Sequence, residues 1–333
     1  EPTRPESGAA DPTVVLLPAS IAFTDPPQHA LHRRPVEAAI KTAMRAKAPR
    51  VKTVAQGLIE LMREKGPSVD LIRDYATPLP VVVLTDLIGI PVADRIQVQR
   101  WGRDLASGLD PAIRAQSVAR AGGAATAIVE YMLEQIDAAR RSPDSSLIGQ
   151  LASKPTKLTT WELIADLTVF LVTGIETASA LIGNALLALL RNPGELEKVR
   201  REPALLDRGI DELIRFDGPL HLTARVANEN IEVAGVKVTG GEQVLVLLAA
   251  ANRDPARFNE PDRLDLARDD NAHLGFGAGT HKCFAEPLAK LLCREAITAL
   301  LESLEGLALA GDPQWNDTVT LRGLSHLPVT FEP

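Results

Sequence analysis

Aromatic residues are scarce, at 4% of the chain, which argues against the stacked platforms that hold single-stranded nucleic acid. Positive charge is in deficit, with 36 Lys and Arg against 43 Asp and Glu and a formal net charge of -7. No nucleic acid and no anionic membrane surface is therefore an expected partner. There are two cysteines, Cys283 and Cys293, and their spacing fits neither a disulfide framework nor a metal knuckle. A reducing, cytoplasmic setting is the expectation, and the opening residues do not read as a secretory leader. The longest apolar stretch, Leu163 to Leu190, is broken by Asp166, Glu176 and Asn184. A membrane span tolerates such residues poorly, so the stretch is expected to be a buried helix and no membrane partner is expected.

Hydrophobic residues form 45% of the 333 positions, enough for a sizeable core. Apolar spacing predicts helices over Pro35 to Ala48, Val51 to Lys65, Pro78 to Leu87, Ala93 to Ser107, Pro111 to Arg141 and Ser145 to Lys154. A short strand is expected at Val69 to Ile72. Thr159-Thr160-Trp161-Glu162 reads as the N-terminal cap of the longest helix, which Asn192-Pro193-Gly194 stops near Arg191. Two helices follow, Glu195 to Arg201 and Ala204 to Phe216. From Thr223 to Leu248 β-branched and polar residues alternate, with Gly240-Gly241 between two runs, as in twisted strands and hairpins. A last helix is expected to end near Leu304, and short strands at Thr318 to Leu321 and Val329 to Phe331. With no repeat and no dividing linker, the reading is a loop segment over residues 1–22 and a single domain over 23–333, mainly α with small β-sheets.

Chemistry concentrates at Leu274-Gly275-Phe276-Gly277-Ala278-Gly279-Thr280-His281-Lys282-Cys283. Glycines allow a tight loop whose amides point one way. A cysteine at its end meets the positive pole of the following helix, which favours a thiolate, a good soft ligand for iron. Taken alone, the same cysteine is equally well a small buried hydrophobe. On the long helix, Gly174 costs up to about 1 kcal/mol relative to Ala. Glu176 reads there either as a solvent-facing residue or as a buried acid needing a partner. Glu212 and Arg215, three apart, share one helix face, where such pairs are usually surface salt bridges of little worth.

Five segments in one order resemble the cytochrome P450 family, in its bacterial form. Phe276-Gly277-x-Gly279-x-His281-x-Cys283 resembles the haem-binding signature. Asp25-Pro26-Pro27-Gln28-His29-Ala30-Leu31-His32-Arg33-Arg34 resembles the start of the family's C helix. Thr173-Gly174-Ile175-Glu176-Thr177 resembles the oxygen-activation kink of its I helix, and Glu212-Leu213-Ile214-Arg215 the Glu-x-x-Arg of its K helix. Ala251-Asn252-Arg253-Asp254-Pro255 and Pro261-Asp262-Arg263 resemble the approach to the cysteine loop. The likeness runs from about Phe23 to the C terminus. In the family a further segment precedes the Asp-Pro-Pro motif, whereas 22 residues stand before Phe23 here; its absence would leave an open access channel.

The resemblance implies a long central helix over haem b, with Cys283 as the iron ligand and Phe276 shielding the sulfur. It implies that His29, Arg33, Arg225 and His281 meet the haem propionates. Glu176 and Thr177 would be the acid–alcohol pair that delivers protons during dioxygen activation. Glu212 and Arg215 would brace the cysteine loop together with an arginine of the later meander, for which Arg263 is the candidate. His273 resembles a family position but carries no assigned chemistry, and His32, His221 and His326 carry none. The implied activity is O2-dependent hydroxylation of a small hydrophobic or natural-product substrate, with electrons from ferredoxin and ferredoxin reductase or a similar donor. Arg34, Lys41, Arg45, Lys282, Lys290 and Arg294 fall on helices flanking the cysteine side and read either as a docking patch for that donor or as an ordinary solvated face. Oxidative coupling, peroxygenase or nitric-oxide reductase chemistry, or a non-catalytic partner role, are the alternatives. The Glu176-Thr177 pair weighs against the peroxygenase and reductase, and Cys283 against the partner role.

Overall fold

The computed structural model describes residues 16–108, 115–154 and 156–332. Ten α-helices and nine short strands lie within these residues. Helix α1 spans Gln28–Lys65, α2 Pro78–Ile88, α3 Arg95–Ser107, α4 Ala115–Arg141 and α5 Leu147–Ser153. Helix α6 spans Thr160–Arg191, α7 Pro193–Arg201, α8 Leu206–Asp217, α9 Leu248–Ala251 and α10 Glu286–Ser303.

Helix α6 is the axis of the molecule. Thr159 accepts a hydrogen bond from the Glu162 amide while Glu162 reaches back to the Thr159 amide, so two orphan donors are satisfied where the sequence places the cap. Apolar residues then occur on every side, as expected of a helix buried all round, and from Leu163 to Val172 each residue is buried. Helices α2, α3, α4, α8 and α10 pack against it. It is long and apolar enough to cross a membrane, but that length is covered by other helices within the fold. The Asp166 carboxylate inside the run has a partner, the fully buried His32 ring of α1, with Nδ1 2.8 Å from Oδ2. The Ile21 amide donates to the other oxygen at 2.6 Å. Leu16 and Leu17, at the start of a short 3-10 turn, are also buried in this corner.

Two expected helices, Pro35 to Ala48 and Val51 to Lys65, are one. Helix α1 runs unbroken for 38 residues, because its buried stripe Val36, Ala39, Ile40, Ala43, Val51, Ala55, Ile59 and Met62 continues across the junction and tertiary burial outweighs a proline's local cost. The expected strand at Val69 to Ile72 ends early: β1 is Ser68–Asp70, and Ile72–Ala76 is a π-helical turn. Asp70 accepts from the Ile72 amide at 3.0 Å and from the Leu327 amide at 3.0 Å, so its side chain turns the backbone out of the strand.

Strand β1 pairs antiparallel with β9 (Pro328–Thr330), with Val69 opposite Val329, and β9 pairs with β6 (Ala308–Leu309). The segment that follows α1 and the C-terminal strand therefore meet in one sheet. The Thr223 to Leu248 region forms β2 (Leu222–Val226), β3 (Ile231–Val233), β4 (Val236–Val238) and β5 (Gln243–Leu247). Strands β2 and β5 pair, as do β3 and β4, and Gly240-Gly241 lies in the β4–β5 connection. The strand expected at Thr318 to Leu321 is reduced to a single bridge between Leu220 and Leu321. Strands form instead at β7 (Gln314–Trp315) and β8 (Leu324–His326). The first residues of the helix expected from Pro111 lie outside the described residues.

Candidate active site

The cysteine loop is closed by its own backbone. The Cys283 amide donates to the Phe276 carbonyl at 2.9 Å and the Gly277 amide to the Leu274 carbonyl at 2.9 Å. Gly277 and Gly279 have φ of +69° and +70°, left-handed angles that explain the glycines. Cys283 is half-buried, and the amides of Ala285 and Glu286, at the start of α10, donate to its sulfur. Burial nevertheless holds the thiol above its ordinary value; those amides and Arg33 pull the other way, and the Glu286 carboxylate adds to the rise. The amides at the helix start favour the thiolate, as the sequence suggests, and desolvation of the charged sulfur opposes them.

Three of the four predicted propionate residues converge beside this loop. The His29 and His281 rings lie 4.4 Å apart between centroids. His29 is buried, and burial, followed by the neighbouring His281 and Arg33, lowers its pKa. Arg33 Nη1 donates to the Thr280 and Lys282 carbonyls at 3.2 and 2.6 Å, and Nε to Glu37 at 3.2 Å. Its Nη2 makes no hydrogen bond among the described residues. Arg225 stays on its own strand, exposed, donating to Thr223 Oγ1 and the Ala224 carbonyl at 2.8 and 2.6 Å, and no contact joins it to the other three.

Glu176 and Thr177 sit half-buried on α6. Helix α6 is continuous through them rather than interrupted. Thr177 Oγ1 donates to the Thr173 carbonyl at 2.7 Å and Thr173 Oγ1 to the Val169 carbonyl at 2.6 Å, the back-bonding that loads a helix locally. Gly174 faces α2: a Cβ there would lie 3.1 Å from Leu84 Cδ1, so the glycine serves close helix packing. Burial raises the Glu176 carboxyl, against the pull of Arg103 on α3.

The brace behind the loop is buried and more extensive than the sequence suggests. Arg215 and Glu212 form a bidentate pair at 2.7 and 2.8 Å, and Arg215 also donates to the carbonyls of Asn252, Pro261 and Arg263. The arginine of the meander is Arg268, whose Nε donates to Glu212 at 3.0 Å. Arg263 contributes only its carbonyl; its guanidinium turns outward to Glu260. Asn271 and the Asp265 amide complete the Glu212 shell, while Asn252 accepts from the Leu274 amide at 2.7 Å and so anchors the loop.

His273 belongs to this brace. Its Nδ1 accepts from the Gly275 amide at 3.0 Å and its Nε2 lies 3.0 Å from Asp211. Lys290 bonds Asp211 and Glu286 and sits over the Phe276 ring, 5.8 Å from its centroid. No single-sequence signal separates His273 from an ordinary loop histidine. The expected basic patch is largely neutralised: Lys41 pairs with Glu37, Lys282 and Lys290 with Glu286, and Arg294 with Asp207 and Glu295. Arg34 and Arg45 have no carboxylate partner among the described residues.

These residues fit a haem held through sulfur. A desolvated thiol with two amides aimed at it needs a cation to become a thiolate, and a lone histidine pair beside an unused guanidinium edge suits carboxylates. The comparisons agree. The family model "Cytochrome P450" matches residues 116–328. Cytochrome P450 107B1 of Saccharopolyspora erythraea is 37% identical over 315 residues, covering 92% of this chain and 76% of that protein. The 6-deoxyerythronolide B hydroxylase of the same organism is 34% identical, covering 94% and 78%. The structure of P450BioI in complex with hexadec-9Z-enoic acid ligated acyl carrier protein superposes with a TM-score of 0.92 at 31% identity, covering 99% and 86%. Fold, loop chemistry and relatives thus converge: the chain belongs to the cytochrome P450 family and is an oxidoreductase of the monooxygenase type.

Proposed function

We propose that this protein is a haem b-dependent monooxygenase that hydroxylates a small hydrophobic or natural-product substrate, with Cys283 as the axial iron ligand. The Cys283 loop carries the reading, since its sulfur is the one group there that combines burial, aimed amides and a fixed position. Haem supplies dioxygen activation when bound. The protein's own residues do the rest. Ala285 and Glu286 amides stabilise negative charge on the sulfur. His29, Arg33 and His281 orient the propionate edge, with Arg225 as a fourth contact. Glu176, whose carboxyl burial raises, serves as the proton donor on α6, and the Thr177 hydroxyl next to it extends the path.

Residues 23–333 form the catalytic domain, and a cytoplasmic setting with a ferredoxin and its reductase, or a similar donor, completes the reading. A role in secondary metabolism fits relatives such as the 6-deoxyerythronolide B hydroxylase, and a fatty acyl chain is the ligand in the P450BioI structure. The deciding experiment is the reduced, CO-bound absorption spectrum of protein supplied with haem. A cysteinate-type Soret band that disappears in Cys283→Ala is the expected result. Colourless protein, or a band that survives the substitution, overturns the proposal.

A further inference from the structure

Phe284 follows Cys283 directly in the chain, half-buried, and two helices engage its ring. The buried Phe170 of α6 stacks on it, with centroids 6.2 Å apart and planes 21° from parallel. The Arg33 guanidinium of α1 lies over it, 5.5 Å from the ring centroid. Both separations fall within the range where such contacts attract. Three residues that flank the sulfur in the chain thus hold one arginine: Thr280 and Lys282 through their carbonyls, and Phe284 through its ring.

The two kinds of contact restrain different motions. A guanidinium is planar and its N–H donors form a fixed fork, so the bonds from Arg33 to Thr280, Lys282 and Glu37 fix its bearing within that plane. They leave tilt out of the plane unopposed, and they leave the faces of the guanidinium open to water. The Phe284 ring covers the guanidinium and opposes both. Phe284 is itself backed by Phe170, on a stretch of α6 where every residue from Leu163 to Val172 is buried. A two-donor edge recognises a carboxylate by its geometry, and a group held in its binding orientation loses less freedom when the partner arrives. An effect exerted through Arg33 disappears once Arg33 is replaced, which separates it from direct packing of the ring beside the sulfur.

We propose that Phe284 is a positioning residue: backed by Phe170, it sets the orientation in which Arg33 meets a haem propionate, and so how strongly that cation favours the reduced haem. The role rests on the monooxygenase reading and adds to it a link between α6 and the propionate edge. The test is a spectroelectrochemical titration of the haem-loaded enzyme. A nearby cation stabilises the negative charge gained on reduction, so Arg33→Gln should lower the reduction equilibrium about tenfold, which is about 59 mV for one electron. Phe284→Leu changes no charge, yet it should lower the equilibrium about threefold, as befits loss of one cation–π contact. Phe284→Tyr keeps the ring face and should stay at the wild-type potential. The double variant Arg33→Gln with Phe284→Leu should match Arg33→Gln alone. A wild-type potential in Phe284→Leu, or a double variant whose shift is the sum of the two single shifts, overturns the assignment. If Phe284→Leu does not retain haem, Phe170→Leu removes the backing ring instead; it should lower the potential only while Arg33 is present, and an unchanged potential there overturns the assignment equally. The CO-bound spectra keep the two readings apart: failure of the haem-thiolate reading removes the cysteinate-type band from the wild type, whereas failure of the Phe284 assignment leaves that band in place and the potentials unmoved or additive.

Discussion

Glu176 shows how one side chain's environment sets its chemistry. Burial lifts its carboxyl while Arg103 opposes the lift, the direction that suits a proton donor. Glu176→Gln is expected to cut product formation by about 100-fold while leaving the CO-bound spectrum unchanged; stopped-flow reduction and product analysis check both halves. Glu212 has a different role. Its carboxylate holds Arg215, Arg268, Asn271 and the Asp265 amide, so Glu212→Ala strands a buried guanidinium. A loss of about 3–5 kcal/mol is expected in urea unfolding. Arg263→Ala, at a side chain that faces solvent, should stay within about 0.5 kcal/mol of wild type, whereas Arg268→Ala should not.

Among the elements, the junction of β1 with the π-helical turn depends most on charge. Asp74 is buried and accepts from Arg73, Lys65 and the Asp70 amide. Its hydrogen bond from Arg73, ahead of the Lys65 and amide contributions, outweighs desolvation and lowers its pKa to about 2. A carboxylate with a depressed folded pKa contributes stability above its unfolded pKa, and that stability is lost as pH falls through the folded one. Between pH 5 and pH 2 this group should therefore cost the protein about 1–2 kcal/mol, discounted because Arg73 and Lys65 are exposed. Unfolding of Asp74→Asn should show a correspondingly flatter acid limb than wild type. The first turns of α1 are tied to α6 through His32 and Asp166. The same helix start carries His29 and Arg33, so one buried pair sets where these two proposed propionate contacts stand.

For the molecule as a whole, the charge distribution matters more than its sum. Most cations on the cysteine side are neutralised by local carboxylates, and under the proposed function Arg34 and Arg45 are the cations left to attract an acidic electron donor. Field-driven association falls with ionic strength. Haem reduction by a ferredoxin should slow as salt rises, and Arg34→Glu with Arg45→Glu should slow it several-fold at low salt and remove most of that dependence. Stopped-flow reduction across a salt series measures it.

Much of this was legible in order and type. Glycine spacing announced the cysteine loop, and Thr159 with Glu162 announced the start of α6. These are local matters, set by backbone angles and by orphan amides within a few residues. Strand boundaries near the C terminus were not legible, because β6, β7, β8 and β9 are two or three residues long and exist only where partners meet them. The same holds for the continuity of α1, where distant burial outweighed a local breaker. Nothing in the spacing of Glu212 chose Arg268 over Arg263; packing of the meander turned one guanidinium inward and the other out. His32 found Asp166, and His273 found Asp211, across long stretches of chain. Composition and short-range pattern thus specified the class of fold and the form of the cysteine loop, because those follow from neighbours along the chain. The partners of buried charges arose only on folding, because a desolvated charge is satisfied by whatever three-dimensional packing brings within reach.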